Sequence, residues 1–466
     1  MARSPIYKRH KNNLKYWLLL LLAGVLGYFV LYQRKSFTPQ DLVENSELSG
    51  KEFVTLVQEI VSSRHKIKAY LLEDKANPIV SMNFIFRNVG YVSDDENRQG
   101  LARLVAALLK EGAGEYDGQE LKEILAVNAI DIKFKAEKDD FSVSVKTTKT
   151  NLKKTIKLLS LMLTQPRFDE ADVLRIKAKF YEEIKKHDEF PAKIAEQEFA
   201  KEVFSRHPYE RNPLGIKENI KIISQRDLLD FVKNNFNRNN LIVGIAGDIN
   251  NKDAEKLLDE LFGQLPQKGK IKFVRNAEVD FTKASKKSSK EMAQNIALLA
   301  MPSVERNHED FYPLFVANHI FGGSGLGSKL SQEIREKRGL TYGIYSYMTL
   351  DDKSQLLMIV FAATKDNFNK ANIILRDEIR KFSKSGITHE ELQKAKNYLI
   401  ASYNLRFASI ETIAQILTAM QKYNLGLDFL QKRNEYVRKV NLNDVNTVIT
   451  KYFNSNNLVG VEVGRF

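Results

Sequence analysis

Two spacings of apolar residues recur along the chain. In "FSVSVKT" (141–147) apolar and polar side chains alternate, which is the period of a half-buried strand. The short runs "IVSMNFIF" (79–86), "NIALLAM" (295–301) and "LLMIVFAAT" (356–364) predict strands as well. Apolar residues three and four apart predict helices over 99–110 and 309–321, and longer, highly charged ones over 150–163, 170–187, 366–385 and 389–406.

The order of these elements repeats. "FNRNNL" (236–241) returns as "FNSNNL" (453–458), "TKTNL" (148–152) as "TKDNF" (364–368), and the helical pattern "EADVLRIKAKF" (170–180) as "HEELQKAKNYL" (389–399). The offsets are 217, 216 and 219 residues, in the same chain order. Such a repeat predicts two domains of one fold. Each half closes on a strand after Asn-Asn-Leu, "LIVGIAGD" in the first and "LVGVEVG" in the second. Helices interspersed with a largely antiparallel sheet define an α+β class. The expected domains are 33–263 and 291–466, joined by the polar, Lys/Ser-rich linker 264–290.

The N-terminus adds a further expectation. Residues 1–15 carry five Lys/Arg and no acid, and Tyr16 to Tyr32 carries no charge. At about 1.5 Å per residue that segment just crosses a hydrocarbon core. Tyr16, Trp17, Tyr28 and Tyr32 supply rings at both interfaces. A basic tail stays in the cytoplasm, so 16–32 is expected to be a transmembrane anchor at the inner (cytoplasmic) membrane of a bacterium, single-pass, with the main body in the periplasm. A cleaved signal peptide competes with this reading, although no Ala-x-Ala pattern follows the apolar segment.

Composition removes several classes of chemistry. There is no cysteine, so disulfides, thiolate metal sites and cysteine nucleophiles are excluded. The net charge of +14 comes largely from lysines alternating with glutamate in helical patterns. No clustered basic face with interleaved aromatics accompanies it, so nucleic acid is not an expected partner.

Three motifs carry a family resemblance over roughly residues 50–466. They are "GLARLVAALLKEG" (100–112), "HPYERNPLG" (207–215) and "FGGSGLGSKLSQEIREKRGLTYGIYS" (321–346). The chain resembles the pitrilysin/insulinase family of zinc peptidases, in particular its two-domain branch that includes mitochondrial processing peptidase and bacterial relatives. The resemblance implies two homologous α+β domains and a first-domain helix with His-x-x-Glu-His. Here the two histidine positions are Arg103 and Ala107, and the general-base position is Ala106. Glu183 fits the family's third metal ligand. One carboxylate cannot hold a catalytic zinc, which takes three protein ligands and a water. No catalytic residue and no bound cofactor are therefore expected in this chain alone.

Other motifs offer no replacement. None of the seven histidines begins or ends a His-x-x-Glu-His or His-Glu-x-x-His. Glu183 and His187 stand one helical turn apart, which suits two ligands or a surface pair before Pro191. "GGSGLG" (322–327) lacks the Lys-Ser/Thr of a phosphate loop, and Ser324 lacks the second glycine of a nucleophile elbow.

By the resemblance, Arg335 and Tyr342 correspond to a second-domain pair that holds substrate peptide, beside a flexible loop containing Gly322, Gly323 and Gly325. A guanidinium fork and a phenol suit a peptide carbonyl and a developing oxyanion. The expected role is a metal-free subunit that binds peptide or unfolded protein alongside a homologous zinc-bearing subunit. The competing role is an inert scaffold of the same fold.

Overall fold

Two sheets built on one plan organise the chain. The computed structural model describes residues 56–466. The first sheet contains β1 (Gln58–Val61), β2 (Lys68–Glu73), β3 (Ile79–Phe86), β6 (Asp131–Ala136), β7 (Phe141–Thr148) and β8 (Leu241–Gly247), in the order β1-β2-β8-β3-β7-β6. A small hairpin of β4 (Gly112–Ala113) and β5 (Tyr116–Asp117) lies outside it. The second sheet contains β9 (Lys286–Ser289), β10 (Asn295–Pro302), β11 (Gly343–Met348), β12 (Leu356–Ala363) and β13 (Val459–Gly464), in the order β11-β12-β10-β13-β9.

The plan repeats strand for strand. β6-β7-β3-β8 and β11-β12-β10-β13 are antiparallel throughout, and each is followed by one parallel neighbour, β2 on β8 and β9 on β13. The offsets in sequence thus reflect a repeated mixed α/β unit. β9 lies within 264–290, so the polar segment read as a linker supplies an edge strand. Its lysines and serines suit that place, because an edge strand tolerates charge better than a central one.

The halves also exchange helices. Helix α3 (Pro191–Val203) belongs to the first half, yet Ala195, Phe199 and Val203 share a core with Leu298, Ala300, Val461 and Val463 of the second sheet. Conversely, helix α4 (Ile410–Lys422) of the second half lays Ile413, Ala414, Leu417 and Met420 against Leu72 and Ala246. Gly244 makes that approach possible, since a Cβ there would stand 2.4 Å from the Ala414 carbonyl. Thr418 Oγ1 completes the seam by donating to the Asn83 carbonyl at 2.9 Å.

The membrane localisation needs correction. Among the described residues no helix is long and apolar enough to cross a membrane. The predicted anchor, 16–32, and the basic tail, 1–15, lie outside the described residues, so nothing in the fold upholds an inner-membrane placement with a periplasmic body.

Candidate functional site

The first motif forms helix α1 (Leu101–Leu108), and its start is fixed by two glycines and a buried acid. Gly100 has φ +95°, and a Cβ there would meet the Leu214 carbonyl at 2.6 Å. Gly215 packs from the other side, where a Cβ would come within 2.1 Å of the Gln99 carbonyl. The glycines of the first and second motifs therefore share one close backbone contact, which only glycine admits. Asp94 accepts the N–H groups of Gly100 at 2.9 Å and Ala102 at 3.1 Å. Burial pushes its carboxyl up to about 8, against the pull of those donors.

This anchoring directs Arg103 into a cavity of about 430 Å³ between the halves. Glu183 and His187 reach the same cavity from helix α2 (Glu170–Glu189). The α3 side adds Lys193 and Glu196, and the second half contributes Tyr347, Asp351 and Met358. Ala106 is buried in the core, and Ala107 is partly buried against it. The structure thus brings Arg103, Glu183 and His187 to one space, where α2 faces a cavity rather than open surface.

These residues do not fit a catalytic zinc. Two of the three motif positions are alanine and the third is a guanidinium. Among the described residues no group of three His, Asp or Glu side chains is arranged to hold a metal ion. Burial, with Lys193 and Arg103 nearby, lowers the His187 pKa and favours its neutral form, outweighing Glu196 and Glu183.

Arg335 and Tyr342 lie elsewhere. The Arg335 guanidinium sits 5.3 Å from the centre of the Tyr342 ring, a cation–π contact, and its Nε is 3.3 Å from Glu336 Oε1. Tyr342 is 85% exposed and is not a core residue. It precedes β11, whose far end holds Tyr347, a cavity residue about 17 Å away at strand spacing. The glycines divide. Gly322 is buried, and a Cβ there would meet Ser346 Oγ at 2.3 Å. Gly323 and Gly325 are exposed, and Gly325 has φ +62° with open space around it.

Several residues of the cavity carried no signal in the sequence. Tyr91 and Lys138 are brought together by backbone hydrogen bonds within the first half, Val92 N–H to the Lys138 carbonyl at 3.3 Å among them, and packing of the second half adds Tyr347 and Asp351. Tyr209 lay in a recognised motif without a role. Its hydroxyl donates to Asp139 at 2.7 Å and accepts the Lys353 N–H at 2.9 Å. His207 holds that turn, with Nδ1 accepting from the Tyr209 N–H at 3.1 Å and Nε2 donating to the Arg275 carbonyl at 2.9 Å.

Residues 70–215 match the family model "Insulinase (Peptidase family M16)", and residues 223–399 match "Peptidase M16 inactive domain". The chain belongs to peptidase family M16. Among curated M16 relatives, the "Non-peptidase homolog YmxG" of Helicobacter pylori is 25% identical over 442 residues, covering 94% of this chain and 96% of the relative. The crystal structure of a peptidase M16 inactive domain from Pseudomonas fluorescens superposes with a TM-score of 0.82 at 26% identity, covering 88% of this chain and 98% of that one. A Helicobacter pylori protease shares the fold at TM-score 0.78 and 17% identity, covering 88% of this chain and 100% of the other. The M16 fold also recurs in a chain of complex III from Candida albicans at TM-score 0.73 and 14% identity, covering 88% and 96%.

Proposed function

We propose that this chain is a metal-free M16 subunit that holds peptide for a zinc-bearing partner subunit. The observation that carries the reading is the replacement of the metal motif by Arg103, Ala106 and Ala107, while Arg335 and Tyr342 stand in contact on an exposed surface. A helix presenting a guanidinium and two methyl groups can neither bind the cation nor activate water. Arg335 and Tyr342 keep the donors that a peptide carbonyl and an oxyanion need. Exposed Gly323 and Gly325 let a bound chain approach the backbone of the same loop.

Two edge strands, β6 and β11, lead to the cavity, β6 through Lys138 in the turn that follows it and β11 through its own Tyr347, and either could accept an added peptide strand. A pure scaffold is the second reading. It is favoured by the contacts that Arg335 already makes with the Tyr342 ring and with Glu336, which hold its guanidinium without a ligand.

The test is reconstitution. Purified alone, the chain should hold no stoichiometric zinc and cleave no peptide. Mixed with a His-x-x-Glu-His homologue from the same genome, it should restore cleavage. Arg335→Ala and Tyr342→Phe should then lower turnover while co-elution of the two chains persists. Full turnover in both variants would establish the scaffold reading instead.

A further inference from the structure

The cavity beneath α1 has exchanged a metal motif for a guanidinium, and the charges around it show what that guanidinium lacks. The other cations of the wall are engaged. Lys193 pairs with Glu196 at 2.6 Å, and Lys138 pairs with Asp351. Arg211 donates to the carbonyls of Val92 at 3.1 Å and Asp94 at 2.6 Å. Arg103 has no hydrogen bond or ion pair among the described residues. Its Nε is buried without a partner, and the Tyr91 ring lies 5.8 Å from the guanidinium carbon. Arg103 is half-buried, and a guanidinium carries five donors that cannot be deprotonated, so an unmatched one facing a cavity invites an anion of planar, two-oxygen geometry.

We infer that the cavity is a carboxylate-binding pocket in which Arg103 grips one carboxylate of a peptide, from either its C-terminus or an acidic side chain. The cavity volume lies within the usual range for ligand sites. Glu183 faces the same space without an ion pair among the described residues, so it opposes a second negative charge. The pocket therefore takes a single carboxylate and disfavours polyacidic segments. The inference needs no partner subunit and concerns this chain alone, so it is separable from the reconstitution described above.

The experiment is calorimetric titration of the full chain, without a partner, with three short acetylated peptides. One has a central glutamate and an amidated end, the second is its glutamine counterpart, and the third is the glutamine peptide with a free C-terminal carboxylate. At least one acid-bearing peptide should bind about ten-fold or more tighter than the all-amide peptide. The arm that shows the preference identifies the source of the carboxylate. Arg103→Gln should erase the preference, Arg103→Lys should retain part of it, and Glu183→Gln should strengthen it. Equal binding of all three peptides, binding of none, or a preference that survives Arg103→Gln would overturn the proposal. Circular dichroism of each variant confirms that the comparison is made on folded protein.

Discussion

The phenol oxygen of Tyr209 lies 2.7 Å from Oδ1 of Asp139, deep in the seam between the halves. Asp139 Oδ2 also accepts the N–H of Asp352 at 2.9 Å, and Tyr209 accepts the N–H of Lys353. One tyrosine and one aspartate of the first half thus bind the loop between β11 and β12. Tyr209→Phe removes the hydroxyl that links Asp139 to that loop and leaves a buried carboxylate short of a donor. Unfolding in urea should show a loss of about 1–3 kcal/mol. An unchanged midpoint would mean that water replaces the hydroxyl.

Lys422 belongs to the same seam. Its Nζ lies 2.6 Å from Asp140 and 2.8 Å from Asp352, and all three side chains are largely buried. The two carboxylates hold its pKa above the usual lysine value against the cost of burial. Lys422→Met should destabilise by about 3–5 kcal/mol, because it leaves the buried Asp140 carboxylate without its cation, while Asp352 keeps Arg87 at 3.1 Å. Adding Asp140→Asn should recover part of that loss, and strict additivity in the double-mutant cycle would refute the coupling.

His319 makes a pH prediction. Its ring is buried, stacked on Tyr398 at 5.0 Å, and burial pushes its pKa down to about 4. The unfolded chain binds a proton near pH 6.5, whereas the folded one resists until about pH 4. Stability from this residue is therefore complete above pH 6.5 and lost as the pH falls toward 4, by up to about 3 kcal/mol. Subtracting the pH profile of His319→Gln from that of the parent isolates the effect, and parallel profiles would contradict it.

Gly322 and Gly325 separate packing from backbone freedom. Gly322→Ala drives a methyl into Ser346 and should cost about 1–3 kcal/mol, with partial rescue by Ser346→Ala. Gly325→Ala meets nothing within 4 Å and should pay only its positive φ, about 1–2 kcal/mol, with no rescue by Ser346→Ala. Thermal unfolding of the four variants distinguishes the two origins.

Strands with long apolar runs were readable from local pattern. "IVSMNFIF" is β3 from end to end, and "FSVSVKT" is β7 less one residue. The amphipathic helices were equally plain, because a wide apolar stripe repeats over several turns. β6, "DIKFKA", and β9, "KKSS", were missed, because edge strands carry charge where central ones carry apolar side chains. At the cavity, Arg103, Ala106, Ala107 and Glu183 could be named because a family motif fixes their spacing. Tyr91, Lys138, Tyr347 and Asp351 could not, since their proximity arises from packing between residues far apart in the chain. The exchange of α3 and α4 left no trace in the periodicity, which reports that a helix face is apolar and not which sheet it covers.

That exchange sets a rule for dissecting the molecule. Cutting between residues 264 and 285 would give two fragments, each missing the roof of its own sheet and holding the roof of the other. Neither piece is a self-sufficient folding unit. Produced separately they should be insoluble, and produced together they should reassemble into one body without a covalent join.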